Sequence, residues 1–154
     1  MQELEIRPIK NKEELLHIIN IRKQVFVKEQ QVPLHLEIDG LDTKARHIIV
    51  YLHGKPIGCA RIRTEKEYVR LERIAIIKKY REKGYGKQLI NYLINYCKHN
   101  MGAKNIRIHS QIHAADFYKK QGFRIIGKPF YEAGIKHIEM AYEDPDEKIK
   151  KLEK

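Results

Sequence analysis

Hydrophobic and polar positions change their period along the chain, and each change predicts an element. Glu3 to Ile9 alternates apolar with polar residues, the period of two expected of a half-buried strand. The pattern breaks at Asn11, whose side chain suits a helix N-cap. Glu14 follows three residues later, so the pair reads as a capping box. Leu15, Ile18, Ile19, Arg22, Val25 and Phe26 then recur at helical spacing, and Pro33 ends that segment. From there to Thr43 no period survives, which predicts a loop or a short irregular helix carrying Glu37, Asp39 and Asp42.

His47–Leu52 and Ile57–Arg63 read as two strands joined by a turn, His53-Gly54-Lys55-Pro56, and Val69–Ile77 as a third. A helical run follows from Gly84 to about Asn100, with Leu89, Leu93, Tyr96 and Cys97 on one face. Asn105–His109 predicts a short strand and Ala114–Gln121 a short helix stopped by Gly122. Arg124–Gly127 and Lys136–Tyr142 read as closing strands. The charged stretch from Asp144 onward predicts an exposed, frayed helix, so one domain over 1–143 is followed by a tail over 144–154. The order is β-α-β-β-β-α-β-α-β-β. Early hairpins and later crossover helices imply an α/β domain, with a mixed sheet and helices on both faces.

Composition agrees with one soluble domain. A chain of 154 residues with 42% hydrophobic and 33% charged residues is able to bury roughly 70% of its unfolded surface. No apolar run approaches the ~18 residues of a membrane span, so no membrane association is expected. Met1 to Ile6 lacks a basic region followed by an apolar stretch, so no secretory leader is expected. Cys59 and Cys97 form no CxxC or Cys/His ligand pattern, and a reducing cytoplasm is the simplest setting. The net charge of +11 would attract nucleic acids, anionic membranes or phosphorylated small molecules, and charge alone does not choose among them. Without a recognition-helix signature or an RNP-like aromatic strand, a nucleic-acid partner ranks last.

The candidate chemistry lies in Arg81-Glu82-Lys83-Gly84-Tyr85-Gly86-Lys87, between the third strong strand and the long helix. Two glycines let a backbone approach a ligand closely, and a helix start offers unpaired N–H groups and partial positive charge. Together they suit a pyrophosphate, with Arg81, Lys83 and Lys87 adding charge. The dinucleotide fingerprint G-x-G-x-x-G fails for want of a third glycine, and the Walker pattern fails because Gln88 follows Gly86-Lys87. Taken alone, the turn also admits a reading in which the glycines only relieve strain.

R-x-x-G-x-G after a strong strand, then an amphipathic helix, a strand and Phe117-Tyr118-Lys119-Lys120-Gln121-Gly122-Phe123, resembles the GNAT superfamily of N-acetyltransferases. Arg22-Lys23-Gln24-Val25-Phe26-Val27-Lys28-Glu29-Gln30 and Leu71-Glu72-Arg73-Ile74-Ala75-Ile76 also look like one prokaryotic subgroup of it. The resemblance implies a GNAT acyl-CoA N-acyltransferase fold, a mostly antiparallel central sheet flanked by helices. It implies acetyl-CoA as cosubstrate, a primary amine as acceptor, and direct attack. The cysteines agree with that last point, because neither has a recognisable base partner.

Residue by residue, the resemblance implies that the backbone of Ile74, Ala75 and Ile76 binds the pantetheine arm. A bulge there would splay this strand from Asn105–His109, and a backbone N–H would polarise the acetyl carbonyl. Residues Arg81, Glu82, Lys83, Gly84, Tyr85, Gly86 and Lys87 would grip the diphosphate, and Gln111 stands where many relatives have asparagine. Tyr118 matches the tyrosine that contacts the cofactor and protonates its departing thiolate, with packing beside Phe117 as the alternative. Glu72 occupies a general-base position, unless it merely pairs with Arg70 or Arg73. His109 is the second candidate base, and His47 and His137 are weaker ones. His109 and His113 straddle a strand–helix junction without further ligands, so no metal is expected. The first helix and the following loop would line the acceptor site, where Glu37, Asp39 and Asp42 would attract a cationic amine, with a merely solvated loop as the alternative. A domain that senses acyl-CoA without turnover is the alternative function. The acceptor and the oligomeric state stay open, a homodimer included.

Overall fold

The computed structural model describes residues 3–143 and Leu152. Apart from Leu152, the helix expected from Asp144 onward lies outside the described residues. The chain divides into two units, one drawn from residues 1–63 and 71–92, the other from 64–70 and 93–154.

In the first unit β1 (Leu4–Pro8) pairs antiparallel with β2 (Arg46–Leu52), β2 with β3 (Lys55–Thr64), and β3 neighbours β4 (Val69–Ile76). The β2–β3 turn is shorter than its composition suggested. His53 and Gly54 have φ of 48° and 76°, the two left-handed positions of a two-residue hairpin turn. Lys55 and Pro56 therefore already belong to β3, and the ladder shifts register between Val50 and Tyr51 to accept them.

Helix α1 (Lys12–Arg22) starts as expected, with Asn11 Oδ1 accepting the Glu14 N–H at 2.9 Å. The other half of the capping box does not form. The Glu14 carboxylate accepts instead from the Lys10 N–H at 2.7 Å, the Tyr51 hydroxyl at 2.6 Å, and the Arg7 guanidinium at 2.9 and 2.7 Å. Hydrogen bonding to Arg7 is the largest reason that its carboxyl is held at about 2. After Arg22 the helix widens into a π-helical turn (Lys23–Glu29), closed by Gln30 N–H to Val25 O at 3.1 Å. Val25 is thereby buried with Ile18, Ile21, Ile49, Cys59 and Ala75. Helix α2 (Leu34–Glu37) and a 3-10 turn (Asp42–Lys44) fill the stretch that lacked periodicity.

Helix α3 (Tyr85–Met101) buries Leu89, Ile90, Leu93, Ile94 and Cys97, a broader stripe than the four residues expected.

In the second unit β5 (Asn105–Gln111) pairs antiparallel along β8 (Ile135–Glu143). The two-residue β6 (Arg124–Ile125) and β7 (Phe130–Glu132) both pair with β8 as well. Strand β7 was not expected. Its turn to β8 places Ala133 at φ 52° and Gly134 at φ 76°, and alanine seldom signals a left-handed position. Helix α4 (Ala115–Lys120) follows a 3-10 turn and stops before Gly122. Gly122 is required twice over. Its φ is 104°, and a Cβ there would meet the Tyr142 ring at 2.9 Å.

Candidate active site

The turn ahead of α3 departs sharply from helical geometry just before the helix begins. Glu82 and Gly84 take φ of 64° and 85°. Among the described residues, no backbone or side-chain oxygen accepts the N–H groups of residues 82 to 87. The first amide to bond back is that of Gln88, to Gly84 O at 3.2 Å. A row of main-chain donors is thus left open at the positive end of a 17-residue helix. A Cβ placed on Gly84 would find nothing within 4 Å. Lys83 and Lys87 are exposed beside the turn.

Arg81 does not add free charge to this turn, as had been expected of it. Its Nε donates to Ile76 O at 2.8 Å and its Nη2 to Glu29 Oε1 at 2.8 Å. The arginine fastens the turn to the end of β4 and to the π-helical turn. Hydrogen bonding from Arg81 in return pulls the Glu29 carboxyl below its ordinary range.

On β4 itself, Ala75 and Ile76 are buried and Ile74 is half-buried. The residue before them, Arg73, has φ of 51° in mid-strand, so the strand carries a left-handed kink just ahead of the three residues. Close approach to β3 needs Gly58, where a Cβ would lie 2.9 Å from Ala75 O and 2.6 Å from Ile76 Cδ1.

The acidic loop turns inward. Arg22, 1% exposed, holds Glu37 through Nε at 2.9 Å and Nη2 at 3.0 Å, and Asp42 through Nη1 at 2.7 Å. Arg61, fully buried, bonds Asp39 at 2.7 and 2.9 Å, Asp42 at 3.0 Å and Glu72 at 3.1 Å. Arg63 also bonds Glu72, and Arg73 pairs with Glu37 at 2.8 Å and Asp39 at 3.3 Å. Four arginines and four carboxylates therefore neutralise one another in a single network. The loop's acidic residues are not a free attractor for a cationic amine.

Glu72 belongs to this network. Its partners are Arg61 and Arg63 of β3 rather than Arg70 or Arg73. Burial pushes its carboxyl up, but the hydrogen bond from Arg63 and the charge of Arg61 overcome this and hold it below the ordinary range. A carboxylate held as the anion by two arginines is a poor proton acceptor. The geometry therefore makes Glu72 a counter-ion, against its expected role as base.

In the second unit Tyr118 is half-buried, with ring centroids 5.2 Å from Phe117 and 5.8 Å from Phe123, both edge-on. Desolvation pushes its phenol up to about 12, so it stays a neutral proton donor. His109 is exposed on β5. Its Nδ1 lies 3.0 Å from Glu132 Oε2 and its Nε2 lies 3.6 Å from Glu139 Oε2. Phe130 meets the His109 ring edge-on at 4.9 Å, and Glu139 is held by Arg70 at 3.3 Å. Glu132 and Glu139 carried no motif and escaped sequence reasoning, but their strands bring them to one histidine. Gln111 ends β5 opposite His137.

The weaker histidines are engaged elsewhere. His47 is buried with Nε2 2.9 Å from Asp42 O, and burial lowers its pKa. His137 Nδ1 meets Ile135 O at 2.7 Å. Among the described residues, no group of three or more His, Cys, Asp or Glu side chains is placed to hold a metal.

The family model described as an acetyltransferase (GNAT) domain matches residues 8–144. The chain belongs to the GNAT acetyltransferase family. This GNAT chain is similar to the uncharacterized N-acetyltransferase YjcF of Bacillus subtilis, with 40% identity covering 85% of the chain and 94% of the relative. It is also similar to the crystal structure of Escherichia coli ElaA, with a TM-score of 0.82, 28% identity, and coverage of 91% and 99% of the two chains. A GNAT family acetyltransferase of Elizabethkingia anophelis, solved with acetyl-CoA bound, shares the fold. Its TM-score is 0.73 at 19% identity, with coverage of 94% of this chain and 100% of that one. The mixed α/β architecture is thus the GNAT acyl-CoA N-acyltransferase fold. No helix among the described residues is long and apolar enough to cross a membrane.

Proposed function

We propose that this GNAT protein transfers an acetyl group from acetyl-CoA to a primary amine by direct attack. The row of unpaired amides from Glu82 to Lys87 carries the reading. A diphosphate needs several N–H donors converging without an intervening side chain, and the turn supplies them with open space at Gly84. Exposed Lys83 and Lys87 add charge. The same fold in the Elizabethkingia anophelis protein carries acetyl-CoA, which supports this choice of ligand.

Acetyl-CoA would supply a thioester, whose acyl carbon a neutral amine is able to attack with the coenzyme A thiolate as leaving group. Backbone amides among Ile74, Ala75 and Ile76 donate to the acyl oxygen, where negative charge develops. Tyr118 gives its hydroxyl proton to the departing sulfur, a role suited to a phenol kept neutral by burial. His109 takes the proton from the acceptor ammonium. A tautomer with Nδ1–H donating to Glu132 would put the lone pair on Nε2, which must turn from Glu139 Oε2, 3.6 Å away, to reach the ammonium. Gln111 contributes a polar contact to the cofactor. Cys59 and Cys97 are buried thiols outside any disulfide, and desolvation pushes the Cys59 thiol up to about 12, which disfavours a covalent acyl-enzyme.

The test is to incubate the protein with acetyl-CoA and a panel of primary amines, then to measure acetylated product by mass spectrometry. Tyr118→Phe should lower turnover by roughly a hundredfold or more while leaving coenzyme A affinity unchanged. Tight coenzyme A binding with no acetylation of any amine would favour an acyl-CoA sensor instead.

A further inference from the structure

Arg73 occupies a conformation that a strand residue with a side chain does not choose for itself. Its φ of 51° lies in the left-handed region, which costs a non-glycine residue free energy unless its surroundings over-determine it. They do so at both ends of the residue. The Arg73 carbonyl accepts the Cys59 thiol at 3.4 Å. The guanidinium is held by the loop of residues 36–39. Its Nε sits 2.8 Å from Glu37 Oε1, and its Nη2 donates to Glu37 O at 3.0 Å, Asp39 Oδ2 at 3.3 Å and Leu36 O at 3.4 Å. The loop cannot easily drift, because Arg22 and Arg61 hold the same two carboxylates from within the unit.

We propose that Arg73 is a positioning residue for acyl transfer: the loop of residues 36–39 grips its guanidinium and so locks the backbone kink that aims the amides of Ile74–Ile76. This rests on the acyl-transfer reading given above. The residues that touch the acyl group are then backbone amides, and the loop acts on them through one side chain. Glu37 and Asp39 serve the reaction by holding an arginine rather than an amine.

Glycine adopts the left-handed region without strain, whereas alanine does not, and neither has a guanidinium to be held. Arg73→Ala should therefore lower kcat by roughly tenfold, with the dissociation constant of coenzyme A within twofold of the parent. Arg73→Gly should recover most of that loss, although without the ion pairs it stays less stable to urea than Arg73→Lys. Arg73→Lys keeps the charge without the fork and should fall between parent and alanine. Equal kcat for the alanine and glycine variants, or kcat ranked by stability, would overturn the proposal. Should Arg73→Ala fail to fold, Arg73→Lys against Arg73→Gly carries the same comparison. An independent readout is amide exchange of Ile74–Ile76 in the coenzyme A complex, faster in the alanine variant and restored by glycine. A parent protein that acetylates no amine refutes the acyl-transfer reading, whereas unchanged exchange across the variants refutes the lock.

Discussion

The loop from Pro33 to Lys44 and the turn from Arg81 to Lys87 are both rich in charge, and they use it in opposite ways. In the loop, Glu37, Asp39 and Asp42 are matched by Arg22, Arg61 and Arg73, and the cluster closes on itself. In the turn, Arg81 is tied to Glu29 and Ile76, while the main-chain amides of residues 82–87 have no acceptor among the described residues. Charge density is therefore a poorer guide to the proposed ligand site than unsatisfied hydrogen-bonding capacity, because a group already paired gains little from a second partner.

The sharpest way to break this comparison is to open the closed side. Arg61→Met leaves Asp39, Asp42 and Glu72 short of a buried partner, and should destabilise the fold by about 3–5 kcal/mol in urea titration. The molecules still folded should bind coenzyme A as the parent does. A loss of affinity with unchanged stability would mean that the network belongs to the ligand after all.

Acid should act on the closed side in the same direction. The carboxyls of Asp39, Asp42 and Glu72 are held below their ordinary values despite burial, by hydrogen bonds and charge from Arg61, Arg22 and Arg63. A depressed folded pKa contributes stability that is complete above the unfolded value, about 4 for a carboxylate. That stability is lost as pH falls through the folded values. Melting temperature should be flat above about pH 5 and drop steeply below it. Replacing Asp39 with Asn should shallow that acid slope.

The open side should respond to charge without a stability cost. Lys83→Glu with Lys87→Glu should weaken coenzyme A binding about tenfold at low salt, less at high salt, and leave the urea midpoint unchanged. The smallest effect is expected of Gly84→Ala. With nothing within 4 Å of a new Cβ, its cost is the backbone strain at φ 85°, about 1 kcal/mol. A large loss of ligand affinity in that variant would show that the new Cβ occupies space the ligand needs.

Much of this was legible in the sequence because local rules decide it. Alternation and helical spacing placed the long elements, Asn11 capped α1, and Gly122 stopped α4. The turn proposed to hold the diphosphate was visible because its two glycines sit where a strand feeds a helix. Other features were hidden because their causes lie far off in sequence. Strand β7 turns through Ala133, a residue with no turn signal. Arg61 lies in the apolar run from Ile57 to Ile62, a warning that a charge faced inward, but its partners are 11, 19 and 22 residues away. His109 acquired Glu132 and Glu139 only through strand pairing with β8.

By itself, then, the sequence determined the order of the long elements, the family resemblance and the place of the glycine-rich turn, since each depends on residues close together along the chain. Tertiary structure alone decided which charged groups remain available. Whether a carboxylate is a base, an attractor or a counter-ion depends on which arginine lies within about 3 Å of it. That distance is set by packing between strands and loops, and not by spacing in the chain.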